Sequence, residues 1–233
     1  MKLNILVFAA HPDDAELSCS GTILKHISLG YKVGIIDLTR GELGSRGSAE
    51  IRDSEAKKAA SVLGLTIRDN LDLGDGFFEI DQTSLVALIK KIREYRPDIV
   101  FCNAPNDRHP DHGRASKLAS RACFLSGLSK IDTNQEVWRP RAVYHYIQDR
   151  YIKPDFSVDI TEFWDKKLES IHAFSSQFFD PNSDEPETPI SSKEYLQYIE
   201  GRAVQFGREI NVKYAEGFTV ERVIGVDDVL ALR

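Results

Sequence analysis

Two short stretches concentrate the residue types that bind cations and move protons: His11-Pro12-Asp13-Asp14 and His109-Pro110-Asp111-His112. Two imidazoles and a carboxylate meeting at one point form a ligand set for a catalytic zinc, with the remaining coordination positions left to water and substrate. On this reading one zinc per chain sits on His11, Asp14 and His112. Asp13 is next in sequence to a ligand but directed elsewhere, which makes it the general base for a water whose pKa the ion lowers to about 7. His109 and Asp111 are left as a second pair. In it the carboxylate orients and charges the imidazole, so that it stabilises an oxyanion or protonates a leaving amine. One His-Pro-Asp alone is as readily a plain turn, because proline and aspartate favour turns for local backbone reasons. Two of them, each following an expected parallel strand, are not explained by turn preference.

The elements around these clusters are expected to bring them together. Apolar, strand-like runs span Leu3 to Ala10, Lys32 to Leu38, Thr66 to Leu71 and Asp98 to Asn103. Between them, helical periodicity covers Leu17 to Leu29, Ala49 to Leu63 and Ser84 to Tyr95, with stops at Gly30, Gly64 and Pro97. This alternation predicts an α/β fold of Rossmann-like, doubly wound type, a mostly parallel sheet with helices on both faces. In the common order the first and fourth strands are neighbours, and ligands bind at the carboxyl ends of the strands at that switch point. His11 to Asp14 follow the first strand, and His109 to His112 follow the fourth, before a helix expected near Gly113. The two clusters should therefore face one another. Further on come strands at Ala142 to Ile147 and near Phe156 to Val158, then a helix from Thr161 to about Phe174. A surface loop over Asp180 to Pro189 precedes a final helix, reaching about Phe206, that Ser191 and Glu194 would open as a capping box.

Weaker signals surround this pair. The loop Thr39 to Ser48 carries three glycines and two arginines and is suited to close over a polar or anionic ligand. Arg46, Arg52 and Arg108 are candidates for bidentate capture of substrate carboxylates. His26, His145 and His172 lack acidic neighbours at ligand spacing and are read as structural. The aromatics Trp138, Tyr144, Tyr146, Tyr151, Phe156, Phe163 and Trp164 are read as packing.

Composition narrows the function. A chain of 233 residues suffices for one domain, expected over 1–233, without repeats or a composition shift. A net charge of −6 with interspersed signs argues against a nucleic-acid surface. The apolar run Ile5 to Ala10 is too short for a signal segment or a membrane span. Three widely spaced cysteines suggest neither a disulfide framework nor a zinc ribbon, so a cytoplasmic enzyme of small-molecule chemistry is expected.

At Ala10-His-Pro-Asp-Asp14, with Glu16 close behind, and at His109-Pro-Asp-His112, the chain resembles the PIG-L-like (LmbE-type) deacetylases. These zinc enzymes hydrolyse the acetamide of N-acetylglucosaminyl conjugates. Asp37 to Gly47, Tyr95 to Val100, Asp107 to Ala115 and Tyr214 to Thr219 look like the branch that deacetylates N-acetylglucosaminyl malate in bacillithiol synthesis. Ser20, where a second small glycine is expected before Gly21, is a departure. The resemblance implies the ligand and base roles above, His109 as the protonated partner of the tetrahedral intermediate with Asp111 behind it, no organic cofactor, and a trimer or hexamer. The alternatives are an amidase or deacetylase of another amino-sugar conjugate such as a bacillithiol S-conjugate, a nucleotide-binding module, and a metal-binding protein without turnover.

Overall fold

The computed structural model describes residues 1–231, so positions 232 and 233 of the expected domain lie outside the described residues. The first strand, β1 (Ile5–Ala9), is buried along its whole length. Alternate side chains leave a strand on opposite faces, so Ile5, Val7 and Ala9 enter one core and Leu6 and Phe8 another. Helix α1 (Asp14–Ser28) covers the first face through Ala15, Cys19 and Ile23. Strand β2 (Val33–Asp37) pairs parallel with β1 and leads through α2 (Ala49–Leu63) to β3 (Ile67–Asn70). Helix α3 (Gln82–Tyr95), β4 (Ile99–Cys102) and α4 (Pro110–Leu125) follow, and α3 and α4 cover the second face through Leu85, Leu88, Ala115 and Leu118.

Beyond α4 lie β5 (Ala142–Tyr146), β6 (Phe156–Asp159), α5 (Trp164–His172), α6 (Tyr195–Glu209) and β7 (Ala215–Val220). The seven strands run in the order β3-β2-β1-β4-β5-β7-β6. The first five are parallel, and β7 is antiparallel to both β5 and β6. The expected α/β sheet and the neighbouring first and fourth strands are both present, and β1 pairs with β2 on one side and β4 on the other.

Three details differ from the sequence-based expectation. Helices α1 and α4 begin three residues earlier, at Asp14 and Pro110, so Asp14, Asp111 and His112 occupy first helical turns rather than loops. Proline at the first helical position loses no intrahelical bond, which lets α4 start there. The capping box is formed by Thr188 and Ser191 at a 3-10 turn, Pro189–Ser191, while α6 starts at Tyr195 without a side-chain cap. Strand β7 has no counterpart in the sequence-based reading, because a buried Glu216 and Gly217 interrupt its apolar pattern.

Glu216 has a structural partner. Its carboxylate accepts from the amides of Gly21 (3.0 Å) and Thr22 (2.6 Å) inside α1 and pairs with buried Lys167 at 2.7 Å. Lys167 Nζ also donates to the carbonyls of Glu16 (3.1 Å) and Leu17 (3.0 Å). A buried ion pair is stable only when its remaining donors and acceptors are satisfied, and here the backbone of α1 satisfies them. At the same point of α1, Gly21 lets Ile160 pack against the helix, since a Cβ there would lie 2.8 Å from the Ile160 side chain.

Candidate active site

The carboxyl edge of the sheet gathers both clusters. Asp13 caps the start of α1 in a left-handed conformation (φ 110°), and His109 caps the start of α4. Two helix N-termini, with their partial positive charge, therefore converge on the cleft. Asp14, buried, stands between the two histidines of the expected ligand set. One of its oxygens is 3.5 Å from His11 Nδ1 and the other 3.2 Å from His112 Nε2. Each imidazole gives its other nitrogen to a second carboxylate: His11 Nε2 to Asp75 at 3.0 Å, and His112 Nδ1 to Asp107 at 2.7 Å. This carboxylate–histidine arrangement is the one that fixes ring orientation and tautomer in metal sites.

Asp14 is itself held by the His11 amide (3.0 Å), Asn103 Nδ2 (3.0 Å) and Gln148 Nε2 (2.5 Å). Burial would raise its pKa, but the charges and hydrogen bonds of His112 and His11 keep it well below the carboxylate range. Against the pull of burial, the surrounding carboxylates raise His112 to about 9 and hold His11 well above the ordinary imidazole value. A pocket that holds protons this firmly between carboxylates is electronegative, and metal binding would replace those protons.

Donor atoms of His11, His109 and His112 lie within 4.8 Å of one another, as do those of His11, Asp75 and Asp111. In the second group the carboxylates are committed to backbone donors: Asp75 accepts from the Leu43 amide (3.1 Å) and Asp111 from the Gly76 amide (2.9 Å). They support His11 from behind.

The GlcNAc-PI de-N-acetylase (PIG-L) family model matches residues 6–123, half of the chain, and spans every residue of these two groups. The chain belongs to the PIG-L family. Diacetylchitobiose deacetylase of Thermococcus kodakarensis is 29% identical over 91% of this chain and 81% of that protein. The 4-oxalmesaconate hydratase of Pseudomonas putida is 28% identical over 74% of this chain and 73% of its own. A probable N-acetyl-alpha-D-glucosaminyl L-malate deacetylase 2 of Bacillus anthracis is 27% identical, covering 75% and 81%. The crystal structure of a conserved protein of Thermus thermophilus superimposes with a TM-score of 0.87 at 35% identity, covering 97% of this chain and 98% of that one.

Within this PIG-L site the expected residues are brought together unequally. Asp13, buried beside Asp14, accepts from Arg52 Nη2 at 2.8 Å, yet burial outweighs that cation and pushes its pKa up to about 7. The pairing of Asp111 with the His109 ring is not formed. The Asp111 carboxylate instead meets His11 Nε2 (3.4 Å), Arg114 (3.0 Å) and the Gly76 amide, because the first turn of α4 directs it under His11. His109 Nδ1 accepts from the Asp111 amide at 3.3 Å, which leaves its proton on Nε2 in the neutral ring. Burial, with the charges of His11 and His112, lowers the His109 pKa and keeps the ring neutral.

Of the three arginines, Arg46 is turned away from the cleft. Its guanidinium donates to the carbonyls of Ser176, Pro186 and Phe178 and to Ser183 Oγ, fastening the segment 176–186 over the loop after β2. Arg52 holds Asp13, and Arg108 pairs with Asp149 at 2.5 Å. His26, His145 and His172 lie outside the cation-binding groups among the described residues. Asp75, Asn103, Asp107 and Gln148 join the site without having been singled out by sequence. Each follows a parallel strand, β3, β4, β4 and β5, so the strand-end rule that found the histidines is also the signal for these residues.

The cleft, about 370 Å³, is walled by His11, Asp13, Asp14, Asp75, His109 and His112 and by Leu43, Gly44 and Tyr195. Gly41 has φ +66°, and a Cβ there would run into Arg52 Nη1. Gly41→Ala therefore adds left-handed strain of about 1–2 kcal/mol and drives Arg52 off Asp13. At least about a 10-fold fall in kcat is expected, as for a small displacement of a catalytic group. An unchanged kcat, at a lowered melting temperature, would show that Arg52 is not needed to place Asp13.

Proposed function

We propose that this protein is a zinc-dependent N-deacetylase of N-acetylglucosaminyl conjugates, acting on N-acetyl-alpha-D-glucosaminyl L-malate in bacillithiol biosynthesis. The observation that carries the reading is the placement of Asp14 between His11 and His112, each backed by its own carboxylate, with a second, protonatable carboxyl on Asp13 beside it. His11, Asp14 and His112 would hold one zinc per chain. Bound there, the ion would supply polarisation of the acetyl carbonyl and acidification of the attacking water. Asp13 accepts the proton of that water, and Arg52 keeps its carboxyl group oriented. His109 presents Nε2–H to the developing oxyanion, and Asp13 hands the proton it took from the water to the departing amine. Collapse of the tetrahedral intermediate releases acetate and the glucosaminyl amine.

The domain is proposed to occupy 1–233, and assembly into a trimer or hexamer follows from the family resemblance. Three free, buried cysteines support a reducing, cytoplasmic location, and no helix among the described residues is long and apolar enough to cross a membrane. The malate assignment draws support from the Bacillus relative, while the Thermococcus relative makes a neutral chitobiose the main competitor. The test is free-amine release by the zinc-loaded protein from N-acetylglucosaminyl malate, diacetylchitobiose, methyl N-acetylglucosaminide and a bacillithiol S-conjugate. The largest kcat/KM is expected for the malate conjugate, with at least about a 10²-fold loss on chelation. A larger value for diacetylchitobiose or the S-conjugate would reassign the substrate, and no amine from any of them would end the deacetylase reading.

A further inference from the structure

The three arginines suited to an acidic substituent are all engaged, on the segment 176–186, on Asp13 and on Asp149. Arg202 is not. It lies on α6 seven residues after Tyr195, two turns along and on the same side of the helix. Among the described residues no hydrogen bond or ion pair ties its guanidinium. The nearby charges of Asp149, Asp107 and Glu216 reach it only through space, and burial lowers its pKa. Arg202 is half-buried, and with no protein acceptor in contact its guanidinium keeps its planar fork of donors available to a ligand.

Arg202 opens onto a cavity of about 530 Å³ that is also lined by Tyr151, Tyr195, Tyr198 and Gln205. This cavity adjoins the catalytic cleft, because Arg108, Asp149, Pro189 and Tyr195 line both. Its only carboxylate, Asp149, is paired with Arg108, so Arg202 is the charged side chain of the cavity without an ion-pair partner in contact. The Tyr195 phenol stands between the two spaces and feels the charge of Asp13 as well as that of Arg202. A glycoside whose acetamide sits at Asp13 has this cavity beside it for the group at the other end.

We propose that the cavity is the subsite for an anionic substituent on the amino sugar, and that Arg202 is the specificity-determining residue that binds it. This rests on the deacetylase reading only for which end of the substrate lies at Asp13. The tyrosines and Gln205 give the subsite neutral donors and flat apolar walls, and Arg202 supplies the planar fork that matches a carboxylate or phosphate.

The test is calorimetric binding in an Asp13→Asn background, which holds substrate uncleaved, with three probes. They are N-acetylglucosaminyl malate, N-acetylglucosamine 1-phosphate and neutral methyl N-acetylglucosaminide. For Arg202→Met the affinity ratio of an anionic probe to the neutral probe is expected to fall about 10- to 100-fold, the value of a charge-assisted hydrogen bond. Arg202→Lys, which keeps the stem and the charge but not the fork, should lose roughly 3- to 10-fold and guards against a folding defect in the first variant. A larger fall for malate than for the 1-phosphate assigns the subsite to carboxylates, and the reverse assigns it to phosphates. Equal losses for charged and neutral probes, or an unchanged ratio in both variants, overturn the proposal. Failure of the deacetylase reading shows separately, as an absence of amine release by the unmutated protein.

Discussion

Asp13→Asn is expected to lower kcat by roughly 10²- to 10⁴-fold while the protein keeps its zinc. The backbone should not object, since asparagine tolerates positive φ as well as aspartate does, and Asp13 sits at φ 110°. The Arg52 contact also survives, because the amide oxygen can accept from Nη2 where the carboxylate now does. What is lost is the ability to take a proton. An amide cannot receive it, so the deficit should fall on kcat rather than KM, and added zinc should not repair it. Metal analysis alongside steady-state kinetics checks both points. A variant that lost its metal and recovered with excess zinc would show that Asp13 is a ligand.

The second large effect is expected at Asp14. Its two oxygens face the His11 amide, Asn103 Nδ2, Gln148 Nε2 and the imidazoles of His11 and His112, all of them donors or cation-bearing groups. Asp14→Asn puts an NH₂ group against that array and removes the only charge between the histidines. Zinc content should drop below about a tenth of the unmutated protein's, with partial recovery in excess zinc, since a neutral amide is a poor ligand. Asp107→Asn acts one bond further out, through His112 Nδ1, and should weaken zinc by about 10- to 100-fold. His109→Ala distinguishes the rival donor set. If His109→Ala empties the site and Asp14→Asn does not, the ion belongs to the three histidines, whose donor atoms also lie within 4.8 Å of one another.

Much of this is legible in the sequence, for reasons that particular residues make clear. Ile5 to Ala9 and Ile99 to Cys102 are short apolar runs that end directly in polar clusters, and in a parallel sheet that pattern leaves little freedom of placement. The helix starts are harder to place because Asp14 and His112 carry chemistry and read as loop residues, when first-turn positions give the same access with better fixed geometry. Adjacency alone points Asp111 at His109. Asp111 stands two positions past His109, about 200° further around the helix, and that rotation sends it toward His11. Arg46 looks like a ligand residue by composition, but its partners are backbone carbonyls over a hundred residues away, and carbonyls leave no trace in a sequence. Arg202 carries no local signal either, because what marks it is the absence of a contacting partner among the described residues in three dimensions.

The family match ends at residue 123, and every residue that touches the cation-binding cluster through its own carboxylate or imidazole lies before that point. The excised first half would nevertheless be a poor minimal catalyst. Lys167 and Glu216 come from beyond it and brace the backbone of α1 at Glu16, Leu17, Gly21 and Thr22, over about the first two turns after Asp14. Gln148, which fixes one oxygen of Asp14, also lies beyond it. Transplantation of this chemistry into another scaffold would need to carry the antiparallel edge of the sheet with it.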